Sequence, residues 1–443
     1  MIGRPTLAFA CLGAVLGVAC GRPAPTPTPS PPPVVARSPV SFREGDLSSA
    51  IEEARRDQKL VFVDAWAPWC HTCLSLREFV LKDPALAPLA DRYVFVAIDT
   101  ERDDSEPFLK AHPMRYWPTL WVLDPASDAA LLKWPGSLTT AELVDLLGEV
   151  ARDRAAGGAM TDLVRADRAV AAGALDDAVS AYEAARAGVA RGSVAHARAV
   201  SSLVTVLADK DPGRCAEIAA AEAGGLARGT HAANVIGLGL DCSRGEGPAS
   251  EPLLRLAEAL VDDPAGPLLD DDRSALFESL VEAYDHRKDD DRARAIAGRW
   301  AVFLEARAAR APNDRARAVF DAHRMLAYLK LDRLDDARQM LERSEALFPD
   351  DANPPARLMR VLRRQKRLEL AEAAGRRAMQ RVYGPRTLSV AEGLAAVLRD
   401  RGDAAGERAL LEEALRRVGD REPTGGMAKV KARLVARLAV LSK

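Results

Sequence analysis

Cys70 and Cys73, with two residues between them, are the positions whose types and spacing most clearly predict chemistry. Two cysteines at this spacing can cycle between a dithiol and a disulfide. The helical pattern that follows places Cys70 at a helix N-terminus, where unpaired N–H groups favour the thiolate. We therefore predict that Cys70 attacks first and that Cys73, one turn later, resolves the mixed disulfide. A protonated His71 would stabilise that thiolate further.

Strand-like and helical patterns surround the cysteine pair and must position it. The apolar run before the pair is typical of a strand buried on both faces, so the pair is predicted to lie at a strand-to-helix junction. In chain order we predict a helix over 47–56, a strand over 60–66, a helix over 74–81, a strand over 93–99, a helix over 106–111, hairpin strands over 120–123 and 130–134, and a last helix that begins with a capping box at 139–142.

Four further positions make this pattern similar to a known fold. They are Trp69 directly before the pair, Asp64 six residues before Cys70, Pro118 before Thr119 at the start of a strand, and Gly136 after the next hairpin strand. Together with the order of elements, they resemble the thioredoxin fold, especially the thioredoxin-like reductase domains at the C-terminal end of disulfide-interchange proteins of the DsbD type. The resemblance covers about a quarter of the chain and predicts a thioredoxin-like domain over residues 40–155.

The resemblance implies a catalytic role for an acidic residue behind the cysteines. Asp64 would be buried, would have a pKa raised by desolvation, and would exchange a proton with Cys73 during resolution. The alternative is an ordinary acid at a strand end. Phe95 stands where thioredoxins usually carry a lysine that faces this acid, so the proton relay departs from the family pattern.

The resemblance also implies a substrate-binding surface. Trp117 and Pro118 resemble the cis-proline loop of thioredoxins, where the residue before the proline offers its backbone to a substrate peptide. Trp69 and His71, next to the thiols, are the other predicted substrate-binding residues, although a tryptophan can equally be a core or rim aromatic.

Metal binding and a purely structural disulfide are the rival interpretations of the cysteine pair. A zinc site would need two more ligands at characteristic spacing, and the six histidines are scattered along the chain. A structural disulfide would not require the tryptophan, acid and proline around it. We therefore predict no metal, and no cofactor other than the redox-active disulfide between Cys70 and Cys73.

The N-terminus predicts export. Arg4 precedes an apolar run over residues 7–18, and Ala19 supplies the small residue that a signal peptidase needs. The run is too short to span a bilayer. Residues 16–20 resemble the lipobox of bacterial lipoproteins, which makes Cys20 the predicted lipidation site, although Gly17 departs from the usual aliphatic residue and an ordinary cleaved signal is the alternative.

The next segment predicts a tether. Residues 21–39 contain eight prolines among small residues and cannot build a core, so we expect an extended linker after a lipoprotein-type signal peptide over residues 1–20. The protein would then be held on a membrane by its lipid anchor only, facing the periplasm or the cell surface. A net charge of −2, from 62 basic and 64 acidic residues, gives no field for nucleic acid, which is not a predicted partner.

Residues 160–443 are predicted to form an all-α domain of tetratricopeptide-like repeats. Ala337, Ala371 and Ala405 recur at intervals of 34 residues, the tetratricopeptide period, and the pattern from Leu175 to Ala178 looks like an earlier copy. Such arrays expose a groove that usually holds a partner protein, and a rigid spacer or a self-association surface is the alternative. The predicted fold class is an α/β thioredoxin fold followed by this helical domain.

A second cysteine pair lies within the helical region. Cys215 and Cys242 are 27 residues apart, a separation that two antiparallel helices could close. After export we expect a stabilising disulfide, although two buried free cysteines would give the same pattern.

These patterns together predict an exported thiol-disulfide oxidoreductase that acts on cysteines of other exported proteins, with the repeats binding clients or partners. No nicotinamide fingerprint is present, so electrons would come from an external donor protein. Reductase, oxidase and isomerase use the same site and are not separated by the sequence. The alternative is a repeat-based scaffold or assembly lipoprotein whose thioredoxin domain binds without catalysis.

Overall fold

A computed structural model describes residues 40–443 except 128, 156–160, 264–267, 422, 424–425 and 442–443. The predicted signal peptide, the lipidation site Cys20 and the linker over 21–39 lie outside the described residues.

A five-stranded mixed sheet forms the centre of the thioredoxin-like domain, with strand order β1-β3-β2-β4-β5. The first three strands in this order are parallel, and β4 and β5 run antiparallel to form the predicted hairpin. The two central strands are buried almost throughout because helices cover both faces of the sheet. The strands are Phe42–Glu44 (β1), Leu60–Trp66 (β2), Tyr93–Asp99 (β3), Thr119–Asp124 (β4) and Ala129–Pro135 (β5).

The helices of this domain follow the predicted order. They are Leu47–Arg56 (α1), His71–Ser75 (α2), Glu106–Ala111 (α3) and Thr140–Ala155 (α4). A π-helical turn over Leu76–Val80 continues α2, so the predicted helix over 74–81 is present but changes its hydrogen-bonding period. The capping box is confirmed, since Thr139 N–H donates to Glu142 Oε2 at 2.8 Å and Glu142 N–H donates to Thr139 Oγ1 at 3.3 Å.

The helical domain packs consecutive helices side by side. Its helices are Asp162–Ala171 (α5), Leu175–Gly188 (α6), Val194–Lys210 (α7), Pro212–Glu222 (α8), Thr230–Ser243 (α9), Ser250–Asp262 (α10), Asp270–His286 (α11), Asp290–Arg310 (α12), Asp314–Ala318 (α13), Asp321–Lys330 (α14), Leu334–Leu347 (α15), Asn353–Arg364 (α16), Leu368–Arg381 (α17), Arg386–Asp400 (α18), Ala404–Val418 (α19) and Gly426–Leu441 (α20). None of the helices in the described ranges has the length and apolar character needed to span a membrane.

One turn geometry recurs between paired helices and marks the repeats. The residue two places before the second helix has a positive φ, and the next N–H bonds to the carbonyl five residues earlier, as in a Schellman cap. The left-handed residues are Gly173, Lys288, Asp332, Lys366 and Gly402. Repetition of the turn shows that helix pairs are the structural unit even where the sequence period is lost.

The predicted repeat of alanines is correct at two positions and wrong at the third. Ala337 and Ala371 are the fourth residues of α15 and α17 and are fully buried. Ala405 is exposed, because α19 begins 36 rather than 34 residues after α17, and Glu407 occupies the equivalent position. Glu407 is buried and accepts hydrogen bonds from Arg399 and Arg437. The third spacing of 34 residues was therefore a coincidence of composition.

A disulfide joins Cys215 of α8 to Cys242 of α9, with the two Cα atoms 6.2 Å apart. Since these helices are neighbours in the array, the bond ties one helix pair together across a loop of 27 residues.

The helical domain contacts the thioredoxin-like domain at many points along its length. Tyr116 donates to Asp209 of α7, and Ser137 donates to Asp272 of α11. Near the other end of the array, Arg421 donates to the carbonyl oxygen of Thr100 at 2.7 Å. The face of these helices that was predicted to hold a partner therefore holds the chain's own thioredoxin-like domain.

Candidate functional site

The two cysteines at the start of α2 are joined in a disulfide, with Cα atoms 5.2 Å apart. Cys70 is the N-cap residue of α2, and its Sγ accepts the Cys73 backbone N–H at 3.0 Å. Strand β2 ends just before them, so the predicted strand-to-helix junction is correct. Cys70 is 5% exposed and Cys73 fully buried, which leaves the first sulfur as the one that a partner could reach.

Asp64 lies on β2 and is fully buried. Burial raises the pKa of Asp64 to about 7, although the nearby Arg77 guanidinium opposes this shift. Arg77 Nη1 is 3.5 Å from Asp64 Oδ2, and the guanidinium also lies 4.2 Å from the ring centre of Trp66. Phe95 is a buried core residue paired with Phe62, so the cation near the acid comes from the helix rather than from β3.

Three aromatic and proline residues surround the sulfurs on the outer side. Trp69 and Trp117 are in contact, with ring centroids 5.2 Å apart, and both pack against the cysteine pair. The Trp69 indole donates to Glu101 Oε1 at 2.7 Å. The Trp117–Pro118 peptide bond is cis, as the resemblance implied, and the Pro118 carbonyl accepts the Gly136 N–H at 2.9 Å.

His71 points away from the cysteines toward the helical domain. Its Nδ1 lies 2.9 Å from Oδ1 of Asp271 on α11, and its ring is 3.9 Å, centroid to centroid, from that of His323 on α14. Burial disfavours the charged imidazole, but the Asp271 carboxylate outweighs it and raises the pKa of His71. Burial likewise opposes ionisation of Asp271, yet the His71 charge lowers its pKa to about 2. These three side chains could hold a cation.

Comparison with known families agrees with this geometry. A family model described as thioredoxin-like matches residues 43–125. This part of the chain is thioredoxin-like. The match spans the thioredoxin-like domain from β1 to the end of β4, including both cysteines, Asp64 and the cis-proline loop. No curated protein matches the chain.

Solved structures similar to the chain are helical repeat proteins. A tetratricopeptide repeat protein from Parabacteroides merdae is 11% identical with a TM-score of 0.42, covering 64% of this chain and 98% of its own. The assembly chaperone of RpL4 is 15% identical with a TM-score of 0.29, covering 63% of this chain and 96% of its own.

The helical domain completes the surroundings of the thioredoxin-like site. Asn353 donates from Nδ2 to the Pro68 carbonyl at 3.0 Å, and the Arg386 guanidinium lies 5.2 Å from the ring centre of Trp69. A cavity of about 440 Å³ remains between the domains, lined by Trp69, Pro68 and Arg386 among others. Burial raises the pKa of Glu101, which borders this cavity, despite its hydrogen bond from Trp69.

Several residues at the site were missed by sequence reasoning. Asp271, His323, Asn353 and Arg386 lie two hundred or more residues from the cysteines, and no local spacing connects them to the pair. Arg77 was within reach of prediction because it stands one helical turn after Cys73, on the helix that the cysteines begin.

Proposed function

We propose that this protein is an exported thiol-disulfide oxidoreductase that acts on disulfides of other exported proteins. The observation that carries the proposal is the placement of Cys70 at the N-cap of α2, where the Cys73 N–H already donates to its sulfur. The same N–H and the positive end of the helix would stabilise a Cys70 thiolate in the reduced protein.

The reaction starts from the reduced pair. The Cys70 thiolate attacks one sulfur of a client disulfide, forming a mixed disulfide and releasing the other client sulfur as a thiolate. Cys73 loses its proton and attacks Cys70 Sγ, which releases the second client thiolate and leaves the Cys70–Cys73 disulfide. The two electrons pass to the client, and a dithiol of an external donor protein restores the pair by the same exchange in reverse.

Asp64 serves the second step as the proton acceptor. A carboxyl with a pKa of about 7 is half ionised near neutrality, so it can take a proton from Cys73 and return it later. Arg77 holds the pKa of Asp64 lower than burial alone would, which keeps part of the population able to act as a base.

Clients reach the sulfur through the cavity of about 440 Å³ beside Trp69. Its volume accommodates a few side chains rather than a folded domain, so the substrate is an extended segment that carries a cysteine. By resemblance to thioredoxins, the backbone of Trp117 before Pro118 would pair with that segment. Residues of the helical domain line the far wall of the cavity and would read the client or the donor.

Insulin reduction by dithiothreitol tests the activity. We expect the purified chain to accelerate it, Cys70→Ser to abolish the acceleration, and Cys73→Ser to trap a mixed disulfide that reducing agents release. The double variant Cys215→Ser, Cys242→Ser is the matched control and should retain full activity. A rate no greater than that of dithiothreitol alone would refute the proposal.

A scaffold function is the second candidate, and the cover over the thiols favours it. Cys70 is only 5% exposed, with Asn353 and the helical domain packed beside it. A protein of this class would bind partners without exchanging disulfides. Phenotypic rescue of a deletion strain by the double variant Cys70→Ser, Cys73→Ser would favour the scaffold, and failure of that rescue would favour the enzyme.

Export and anchoring are a separate part of the proposal. The N-terminal pattern supports a lipoprotein in which Cys20 carries the lipid and residues 21–39 form the tether. Metabolic labelling with a fatty acid should mark the wild-type protein and not Cys20→Ser. Labelling of both, or of neither, would show that membrane attachment does not depend on this cysteine.

A further inference from the structure

A cluster of two imidazoles and a carboxylate lies where the two domains meet. His71 comes from α2, Asp271 from α11 and His323 from α14. One nitrogen or oxygen from each of the three lies within 4.8 Å of the other two. Two of these atoms, His71 Nδ1 and Asp271 Oδ1, are 2.9 Å apart, the separation expected of neighbouring ligands on one metal ion.

The buried members of the cluster have polar atoms without hydrogen bonds. Asp271 and His323 are each 2% exposed. Within the described part of the chain, Asp271 Oδ2 and His323 Nε2 accept or donate no hydrogen bond. An unpaired polar atom in such a place costs about 1–3 kcal/mol, so two in one cluster call for an occupant.

The surroundings of His323 orient it as a ligand. Trp300 Nε1–H can only donate, and it donates to Ser274 Oγ at 2.7 Å. The same oxygen is 2.6 Å from His323 Nδ1, so it can accept a second hydrogen bond from that nitrogen. The lone pair of Nε2 is then free to face the cluster, which is the usual arrangement around a metal-binding histidine.

A fourth donor is close by. The Glu278 carboxylate on α11 lies 3.4 Å from His323 Nε2, beyond the range of a good hydrogen bond but suitable for a shared ion. The side chain of His71 is 28% exposed, which gives an ion a path from solvent. Imidazoles with carboxylates suit zinc and its first-row neighbours, whereas calcium and magnesium prefer oxygen donors alone.

We propose that His71, Asp271 and His323 bind one divalent transition-metal ion of the zinc class, with Glu278 as the fourth protein donor. The ion joins the thioredoxin-like domain to two helices of the helical domain and fixes the residue between the two cysteines. Ligands from positions 71, 271 and 323 explain why local spacing in the sequence predicted no metal. The proposal does not rest on the oxidoreductase activity.

Cobalt and zinc alone are the probes. The purified full chain is oxidised, stripped with a chelator and titrated with Co²⁺ while its visible ligand-field absorption is recorded, and Zn²⁺ binding is measured by calorimetry. We expect one ion per chain. His323→Gln, which keeps the size of the side chain, should weaken binding by about 100-fold or more, since loss of even an outer hydrogen-bond partner of a ligand costs 10–100-fold. His71→Gln, on the partly exposed side, should do the same.

Two controls separate this site from other causes. His231→Gln removes a histidine that also packs across the domain boundary, 5.7 Å from the Trp134 ring, and should leave binding unchanged. The double variant Cys70→Ser, Cys73→Ser should also bind normally, which excludes the thiols as ligands and keeps the result independent of catalysis. No saturable binding, binding unaffected by both His71→Gln and His323→Gln, or equal loss in His231→Gln would overturn the proposal and leave a simple ion pair between His71 and Asp271.

Discussion

Replacing Asp64 by asparagine is predicted to change how the stability of the protein depends on pH. The variant keeps the size of the side chain but removes the titrating proton. In the folded chain burial raises the pKa of Asp64 to about 7, whereas its usual value is 3.8. The folded state therefore holds this proton more tightly than the unfolded state does.

The sign and size of the effect follow from that difference. Because the folded pKa is raised, the stabilising contribution is fully present below pH 3.8 and is lost as the pH rises through about 7. The loss amounts to about 4 kcal/mol at 1.36 kcal/mol per pH unit. Asp64→Asn has no such loss, so the free energy of unfolding of the variant relative to wild type should increase by about 4 kcal/mol from about pH 4 to about pH 8.

Urea unfolding of the oxidised chain, followed by circular dichroism at a series of pH values, measures this difference. Arg77→Met is an informative partner variant, since loss of the guanidinium should raise the pKa of Asp64 further and steepen the fall in stability. Insulin reduction by Asp64→Asn should be slower at neutral pH because Cys73 loses its proton acceptor. If wild type and Asp64→Asn lose stability in parallel across this pH range, Asp64 does not titrate near neutrality and the proposed proton transfer is wrong.

Two further predictions concern backbone contacts and the second disulfide. Gly402→Ala and Gly384→Ala both place a side chain at positive φ, which should cost about 1 kcal/mol, but only at Gly384 would the new Cβ meet the carbonyl oxygen of Glu101 in the other domain. Thermal unfolding should therefore show the larger loss for Gly384→Ala, and equal losses would mean that the domains do not approach there. Cys215→Ser with Cys242→Ser should lower the free energy of unfolding by about 3 kcal/mol, given a loop of 27 residues, and a change below about 1 kcal/mol would contradict the stabilising role of this bond.

The local elements of the thioredoxin-like domain could be predicted from the sequence with little error. The helix before β2 and the strands β2 and β3 have the predicted bounds, because an amphipathic period and buried apolar runs leave few alternatives. The hairpin strands each extend one residue further at both ends than predicted, and β1 was missed. A strand of three half-exposed residues has too short a pattern to recognise, and it is held by pairing with β3 rather than by its own composition.

The parts of the site that come from the helical domain could not be predicted. His71 was interpreted only as a neighbour of the thiols, but in the folded chain its nitrogen contacts Asp271, two hundred residues away. Such a contact depends on how the helices stack, and stacking is not encoded in any local period. Glu407 shows the same limit on a smaller scale, since two arginines make a glutamate acceptable where the other repeats place alanine.

The contact made by Arg421 has a consequence for how the protein is made. Its guanidinium donates to the carbonyl oxygens of Thr100 and Glu101, beside the tryptophan that precedes the thiols. Synthesis proceeds from the N-terminus, and early domains generally fold first. The thioredoxin-like domain is therefore finished some three hundred residues before its last contact is synthesised. During that interval the cysteines are open to oxidants and foldases, so their first oxidation state is set before the helices close over them.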